Sequence, residues 1–181
     1  SEIIEPIVQA LTTLDPEAQA YFEQNGEWLR KMMLETHMSI QAHLQEIPAS
    51  RRYLVTSHDA FNYFTRAYLA TPQERKEGTW QQRFEAPEGL APDGQLGAYD
   101  IQQIVQHLAA FDIHVIFPES NVSRDSLKKI LHACQQRGFT VHIAQQVLYG
   151  DAMGAEGSGA HTYLKMMRHN ADVLMINWRG D

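Results

Sequence analysis

Cysteine is nearly absent from this chain, in which Cys134 is the only one among 181 residues. A single thiol excludes an internal disulfide and a zinc site built from several cysteines. Cys134 lies in a helical apolar pattern with Leu127, Ile130 and Leu131. We therefore interpret it as a small, buried core residue.

The chain also lacks long apolar runs and an excess of basic residues. No stretch approaches the ~20 apolar residues of a transmembrane helix, and no charged-then-apolar signal peptide opens the chain. The net charge of -7 argues against nucleic acid as a partner, because nucleic-acid binding requires a basic face. With 44% hydrophobic and 20% charged residues, the composition is typical of a soluble globular domain. Because no initiator Met is present, we interpret the chain as a mature segment or an excised fragment.

The usual catalytic motifs are missing as well. The glycines between Gly154 and Gly159 lack the order of a phosphate-binding loop, and no Lys-Ser or Lys-Thr pair follows them. There is no Gly-x-Ser-x-Gly nucleophile elbow and no His-Glu-x-x-His zinc helix. The sequence therefore predicts a protein that is not an enzyme.

The first fifty residues predict a long helix. Asp15, Pro16 and Glu17 form a start signal, in which an aspartate cap precedes proline and an acid in the first turn. Apolar residues then recur at helical spacing until Pro48. A helix of ~30 residues would be about 45 Å long, which suits a spine that braces two domains. We assign residues 1–50 to this spine or linker region and residues 51–181 to a separate lobe.

From residue 50 onward, predicted strands and helices alternate. Apolar runs predict strands at 53–56, 113–117, 140–143 and 147–150, and helical patterns fall at 59–68, 101–111, 123–138 and 160–178. Such alternation predicts an α/β fold with a parallel sheet of about four strands flanked by helices. The stretch 70–97 predicts a long surface loop that contains a short strand at 79–84.

Two side chains stand where an open α/β sheet binds ligands. His58 follows the first predicted strand, and Asp151 follows the last. The carboxyl ends of parallel strands lie at one edge of the sheet, so we expect these side chains within ~8 Å of each other, exposed on one face. Imidazole and carboxylate make half of a nitrogen and oxygen site for a divalent metal. Taken locally, His58 could equally cap a helix and Asp151 could be a turn aspartate.

The other eight histidines are poorer candidates for metal ligands. His114 and His142 lie within predicted strands, where a hydrogen-bonded histidine is the simpler interpretation. His161 lies beside a glycine-rich stretch and is kept as a reserve candidate. The remaining five are interpreted as surface residues: His37, His43, His107, His132 and His169.

The strings around His58 and Asp151 resemble a known family. Residues 53–64 (YLVTSHDAFNYF) are similar to the strand-to-helix signature of the metal-binding lipoproteins of ABC importers, the extracytoplasmic solute-binding proteins for zinc, manganese or iron. Three further strings agree with this family in order and spacing: 116–120 (IFPES), 149–154 (YGDAMG) and 163–170 (YLKMMRHN).

The resemblance implies a fold, a ligand set and partners. In that family one long helix joins two α/β lobes, and four side chains hold the metal between them. Two histidines come from the amino-terminal lobe, and the carboxy-terminal lobe supplies the positions that match His58 and Asp151. The chain would then be the carboxy-terminal half of a protein that delivers its metal to an ABC permease. The implied location is periplasmic or extracytoplasmic, with a lipid anchor on the missing amino terminus.

A neutral histidine ligand needs an outer partner for its second ring nitrogen, and Ser57, Asp59 and Glu119 are the candidates. Two other functions remain open from the residues alone. A metal-dependent hydrolase would use an open coordination position and a general base. A plain structural or interaction domain would hold His58 and Asp151 far apart.

Overall fold

The computed structural model describes residues 2–87 and 97–179. The chain divides into two compact units, Ser1–Ile40 and Gln41–Asp181. The helices run over Ile4–Leu14 (α1), Gln19–Gln45 (α2), Asn62–Phe64 (α3), Pro72–Glu77 (α4), Ala98–Ala110 (α5), Asp125–Gln136 (α6) and Tyr163–Arg179 (α7). The strands are Leu54–Val55 (β1), Phe84–Glu85 (β2), Val115–Ile116 (β3) and His142–Ile143 (β4). Within the described residues, no helix combines the length and apolar content needed to cross a membrane.

The first unit contains α1 and most of α2. Gly26 lies where α1 approaches α2, because a Cβ built there would meet a Val8 side-chain carbon at 2.6 Å. An ion pair between Arg30 and Glu5 at 3.0 Å also joins the two helices. The predicted long helix is confirmed, since α2 has 27 residues. The predicted cap is wrong, because Asp15 makes no side-chain capping bond and a 3₁₀ turn at Pro16–Ala18 leads into α2.

The second unit is built on parallel strands. β1 pairs with β2 and β3 pairs with β4, both in parallel. A parallel bridge between Thr56 and Phe117 joins the two pairs and gives the order β2-β1-β3-β4. The prediction of about four parallel strands is therefore confirmed, although each strand is only two residues long.

Helices cover both faces of this sheet. Successive strand residues point to opposite faces, and neighbouring residues of the β3 segment show this alternation. Ile116 belongs to the apolar core that contains residues of α5 and α6, whereas the Phe117 ring lies 6.0 Å from that of Trp178 on α7. Cys134 belongs to the same core as Ile116 and is fully buried, as predicted, and burial raises the pKa of its thiol.

The stretch 71–86 is ordered rather than the long loop we predicted. The Thr71 hydroxyl accepts a hydrogen bond from the backbone N–H of Glu74, whose carboxylate accepts from the N–H of Thr71, so α4 begins with a capping box. The predicted strand at 79–84 is wrong except at Phe84, because Thr79–Arg83 forms a 3₁₀ turn. Residues 88–96 of the predicted loop lie outside the described residues.

Two further elements differ from prediction. The helix expected at 59–68 begins only at Asn62 and continues as a π-helical turn over Thr65–Leu69. The strand expected at 147–150 is reduced to one bridge between Leu148 and Glu119. There the Asn170 side chain accepts from the N–H of Tyr149 at 3.0 Å and donates to its carbonyl at 2.9 Å. This pair of bonds takes the place of a strand partner for Tyr149.

Candidate metal centre

A tight turn at the carboxyl end of β1 places His58. The Thr56 hydroxyl donates to the carbonyl of His58 at 2.7 Å, and the N–H of Ala60 donates to the same oxygen at 3.1 Å. These bonds fold the chain back on itself before α3 begins. His58 is therefore fixed at the edge of the sheet, where the sequence placed it.

His58 and Asp151 meet at this edge. The Nε2 atom of His58 lies 2.9 Å from Oδ2 of Asp151, well within the distance we expected. The pair differs in exposure, because the His58 side chain is 7% exposed and that of Asp151 is 54% exposed. The expectation of an exposed histidine is wrong, since carboxylates contact the ring on two sides.

Glu119 is the second carboxylate at the ring. It follows β3, its side chain has no solvent exposure, and its Oε2 lies 2.5 Å from Nδ1 of His58. Its Oε1 accepts hydrogen bonds from the Ser57 hydroxyl at 3.1 Å and from the backbone N–H of His58 at 2.9 Å. Of the three outer partners considered from the sequence, Glu119 is the one at Nδ1, while Asp59 accepts from Asn62.

The two carboxylates set the electrostatics of the ring. Burial lowers the pKa of His58, but the charge of Glu119, its hydrogen bond and the contact with Asp151 together outweigh burial. The net pKa of His58 is therefore raised above its ordinary value. A cation bound at Nε2 would replace a proton at that atom, since a histidine ligand must be unprotonated there.

Gly150 and Asn121 place Asp151. A Cβ at Gly150 would come within 2.8 Å of the Ala60 Cβ and 2.9 Å of Oε2 of Glu119, so only glycine allows this close approach. The Asn121 amide donates to Oδ2 of Asp151 at 3.0 Å. Asp151 therefore rests against the turn that carries His58 while its carboxylate stays open to solvent.

The pair offers one imidazole nitrogen and a carboxylate, a donor set that suits zinc, manganese or iron. Residues 2–87 and 97–179 contain no group of three or more His, Cys, Asp or Glu side chains arranged to hold a metal. The interpretation as a structural domain required His58 and Asp151 to lie far apart, and their 2.9 Å contact contradicts it.

The other histidines lie in different surroundings. The ring nitrogens of His114 contact the Thr140 carbonyl and Asp112, which agrees with our interpretation, and the reserve candidate His161 contacts Lys165. Four histidines predicted to be surface residues are partly buried: His37, His43, His107 and His169. His107 is the clearest error and its side chain is 12% exposed. Its ring packs beside Phe111, one helical turn away, and Tyr53, which is distant in sequence and which a local pattern does not reveal.

Comparison with known proteins decides the family. A family model described as zinc-uptake complex component A, periplasmic (ZnuA), matches residues 1–175. The chain belongs to this family. Its members are metal-binding, substrate-binding proteins of ABC importers, as the resemblance indicated.

Two relatives and one crystal structure show what share of a relative's length this chain covers. The metal-binding protein YtgA of Chlamydia pneumoniae is 37% identical over 173 residues, which are 96% of this chain and 51% of YtgA. The manganese-binding lipoprotein MntA of Bacillus subtilis is 30% identical, over 92% of this chain and 53% of MntA. The crystal structure of Fe(III)-bound YtgA from Chlamydia trachomatis superposes with a TM-score of 0.87 at 31% identity, covering 98% of this chain and 59% of that one. This ZnuA-family chain thus spans about half the length of the relatives it matches.

Proposed function

We propose that this chain is the carboxy-terminal half of an extracytoplasmic protein that captures a divalent cation and delivers it to an ABC permease. The observation that carries the proposal is the contact between His58 and Asp151, whose side chains meet at 2.9 Å at the edge of the sheet. Zinc, manganese and iron are the candidate cargo. Zinc is named in the description of the family, and the matched relatives are named for manganese and Fe(III) binding.

His58 and Asp151 are the proposed metal ligands in this half. Nε2 of His58 would bind the cation, and the carboxylate of Asp151 would bind it through one or both oxygens. The missing amino-terminal lobe would complete the site with two histidines. A site shared between two lobes suits transport, because separating the lobes removes half of the ligands and releases the metal.

We also propose that residues 1–50 form the spine region and residues 51–181 the metal-binding lobe. The length of α2 supports the spine, while the compact units divide inside this helix, after Ile40. The protein would act as a binding component without turnover, outside the cytoplasm, with a lipid anchor on the missing amino terminus. Its membership of a family of metal-binding transport components supports this role.

Substituting the two ligands tests the proposal. We expect His58→Ala and Asp151→Ala, made in the full-length gene product, each to weaken zinc and manganese binding by more than about 100-fold, because outer-shell changes alone cost 10–100-fold. Isothermal titration calorimetry measures the affinity. The matched control is His132→Ala, since His132 is exposed on α6 and its ring contacts the side chain of Gln136 on the same helix. Affinities within twofold of the wild type for either ligand variant would refute the site.

A further inference from the structure

Glu119 is a buried carboxylate, and among the described residues no salt bridge joins it to a lysine or an arginine. Its side chain has no solvent exposure, and Ser57 and His58 supply its hydrogen-bond and ion-pair contacts. Removing an ionised carboxylate from water is costly unless hydrogen bonds compensate for the lost hydration. Here the donors all come from the turn that carries His58. Glu119 is thus bonded to the turn after β1 that carries His58, one of the two proposed metal ligands.

The geometry defines which ring nitrogen Glu119 controls. Its Oε2 lies 2.5 Å from Nδ1 of His58, and neither atom has a hydrogen bond to any third group among the described residues. An ionised carboxylate accepts and cannot donate, so this contact requires the proton of a neutral imidazole to be on Nδ1. Asp151 contacts Nε2 in the same way, so it favours a second proton there in the metal-free protein. A cation that displaces this proton leaves the lone pair on Nε2 and the remaining proton on Nδ1, beside Glu119.

The backbone holds Glu119 in this place from two sides. The bridge between Glu119 and Leu148 fixes its main chain beside the segment that leads to Asp151, and the N–H of Ser120 donates to the carbonyl of Leu148 at 2.9 Å. Its Oε1 accepts from the backbone N–H of His58, a contact that a side-chain substitution at residue 58 would leave in place. Glu119 therefore connects the two chain segments that carry the proposed ligands.

We propose that Glu119 is a positioning residue that fixes His58 in the Nδ1–H tautomer and, through its buried negative charge, strengthens Nε2 as a metal donor. This inference rests on the proposed metal-binding function of His58. Hydrogen bonding from a metal-bound histidine to a carboxylate fixes the ring orientation and raises the basicity of the ligand. In this arrangement Glu119 does not bind the cation, because it contacts Nδ1 of His58 while the cation would bind Nε2.

Glu119→Gln is the informative variant, since it removes the charge and keeps the shape. In the full-length gene product we expect zinc affinity to fall 10–100-fold, the range found when outer-shell partners are lost. An amide can donate as well as accept, so the variant also permits the opposite tautomer. Long-range ¹H–¹⁵N spectra of the metal-free protein should show Nδ1–H as the neutral form of His58 in the wild type and a mixture in the variant. Glu119→Asp keeps the charge and should retain more affinity than Glu119→Gln.

Glu74→Gln is the matched control, because Glu74 is a partly buried carboxylate that bonds Arg83 instead of a proposed metal ligand. It should lower the melting temperature and leave zinc affinity unchanged, which separates lost stability from lost positioning.

Zinc affinity of Glu119→Gln within twofold of the wild type would overturn the inference. So would a wild-type His58 in the Nε2–H form, a result that needs no variant to fold. If both His58→Ala and Glu119→Gln bind zinc as tightly as the wild type, the proposed metal-binding function fails. If His58→Ala loses zinc binding while Glu119→Gln keeps it, only the positioning role of Glu119 fails.

Discussion

At the scale of single residues, His107 shows a strong effect of burial on ionisation. Its ring lies 4.8 Å from that of Phe111 and 6.4 Å from that of Tyr53, and its Nε2 has no hydrogen-bond partner among the described residues. Burial lowers the pKa of His107 to about 4. Glu85 approaches Nδ1 only to 3.8 Å, beyond hydrogen-bond reach, so it does not offset burial.

This lowered pKa predicts that stability falls on acidification. Between pH 6.5 and about 4 the unfolded chain binds a proton at residue 107 that the folded chain does not bind, so the free energy of unfolding decreases as pH falls. His107 should account for about 2 kcal/mol of the loss between pH 7 and pH 5. Urea unfolding of His107→Phe at both pH values should show a correspondingly smaller loss. His132→Phe, made at an exposed position, should keep the wild-type difference, and an unchanged difference in His107→Phe would contradict the prediction.

At the scale of elements, one carboxylate organises the segment from α4 to β2. Glu74 completes the capping box of α4 and accepts from Nε and Nη2 of Arg83 at 2.6 and 2.7 Å. Nη1 of Arg83 donates to the carbonyls of Ala49 and Arg52 at 2.6 and 3.2 Å. Arg52 is buried beside this group, and its Nε and Nη1 have no partner among the described residues. Burial raises the pKa of Glu74, but its bonds to Arg83 and Thr71 outweigh burial and lower it overall.

Removing the charge of Glu74 should therefore destabilise the fold. Glu74→Gln leaves Arg83 and Arg52 buried without their nearest negative charge, and breaking a buried ion pair costs about 3–5 kcal/mol. We expect a loss of about 3 kcal/mol in the free energy of unfolding, measured by urea denaturation at pH 7. Glu77→Gln, on the exposed side of the same helix, should change it by less than about 0.5 kcal/mol. Equal effects of the two variants would show that the Arg83 pair does not stabilise this segment.

At the scale of the whole molecule, the chain carries its own core but only half of the proposed metal site. The core around Val55, Ile116 and Leu127 is built entirely from residues of the second unit. Two protein ligands leave at least two coordination positions to water, and each missing ligand removes a bond and some preorganisation. We therefore expect this chain alone to fold, and to bind zinc at least about 100-fold more weakly than the full-length gene product.

Circular dichroism and zinc titration of both forms check this expectation. A cooperative unfolding transition of the 181-residue chain, with weak zinc binding, is the expected result. A one-to-one site of nanomolar affinity on the monomeric chain would mean that its ligand set is complete, and the split site would be wrong.

Local sequence patterns determined the order of elements and the two candidate ligands. Apolar periodicity separates helices from strands because it reports which face of each element is buried. His58 and Asp151 could be placed at one edge because parallel strands end there together. The family strings around these residues specified the rest of the proposed function. The same patterns overestimated the strand at 147–150, where the side chain of Asn170 replaces a strand partner.

Tertiary structure alone decided which side chains meet. Sequence offered Ser57, Asp59 and Glu119 as partners for His58, and only folding selected Glu119, which lies 61 residues away in the chain. The burial of His58 and the low pKa of His107 were likewise settled by neighbours from other elements. A periodic pattern fixes the face on which a residue lies, because that depends on its own backbone. Solvation and hydrogen bonding depend on residues that only the folded chain brings into contact.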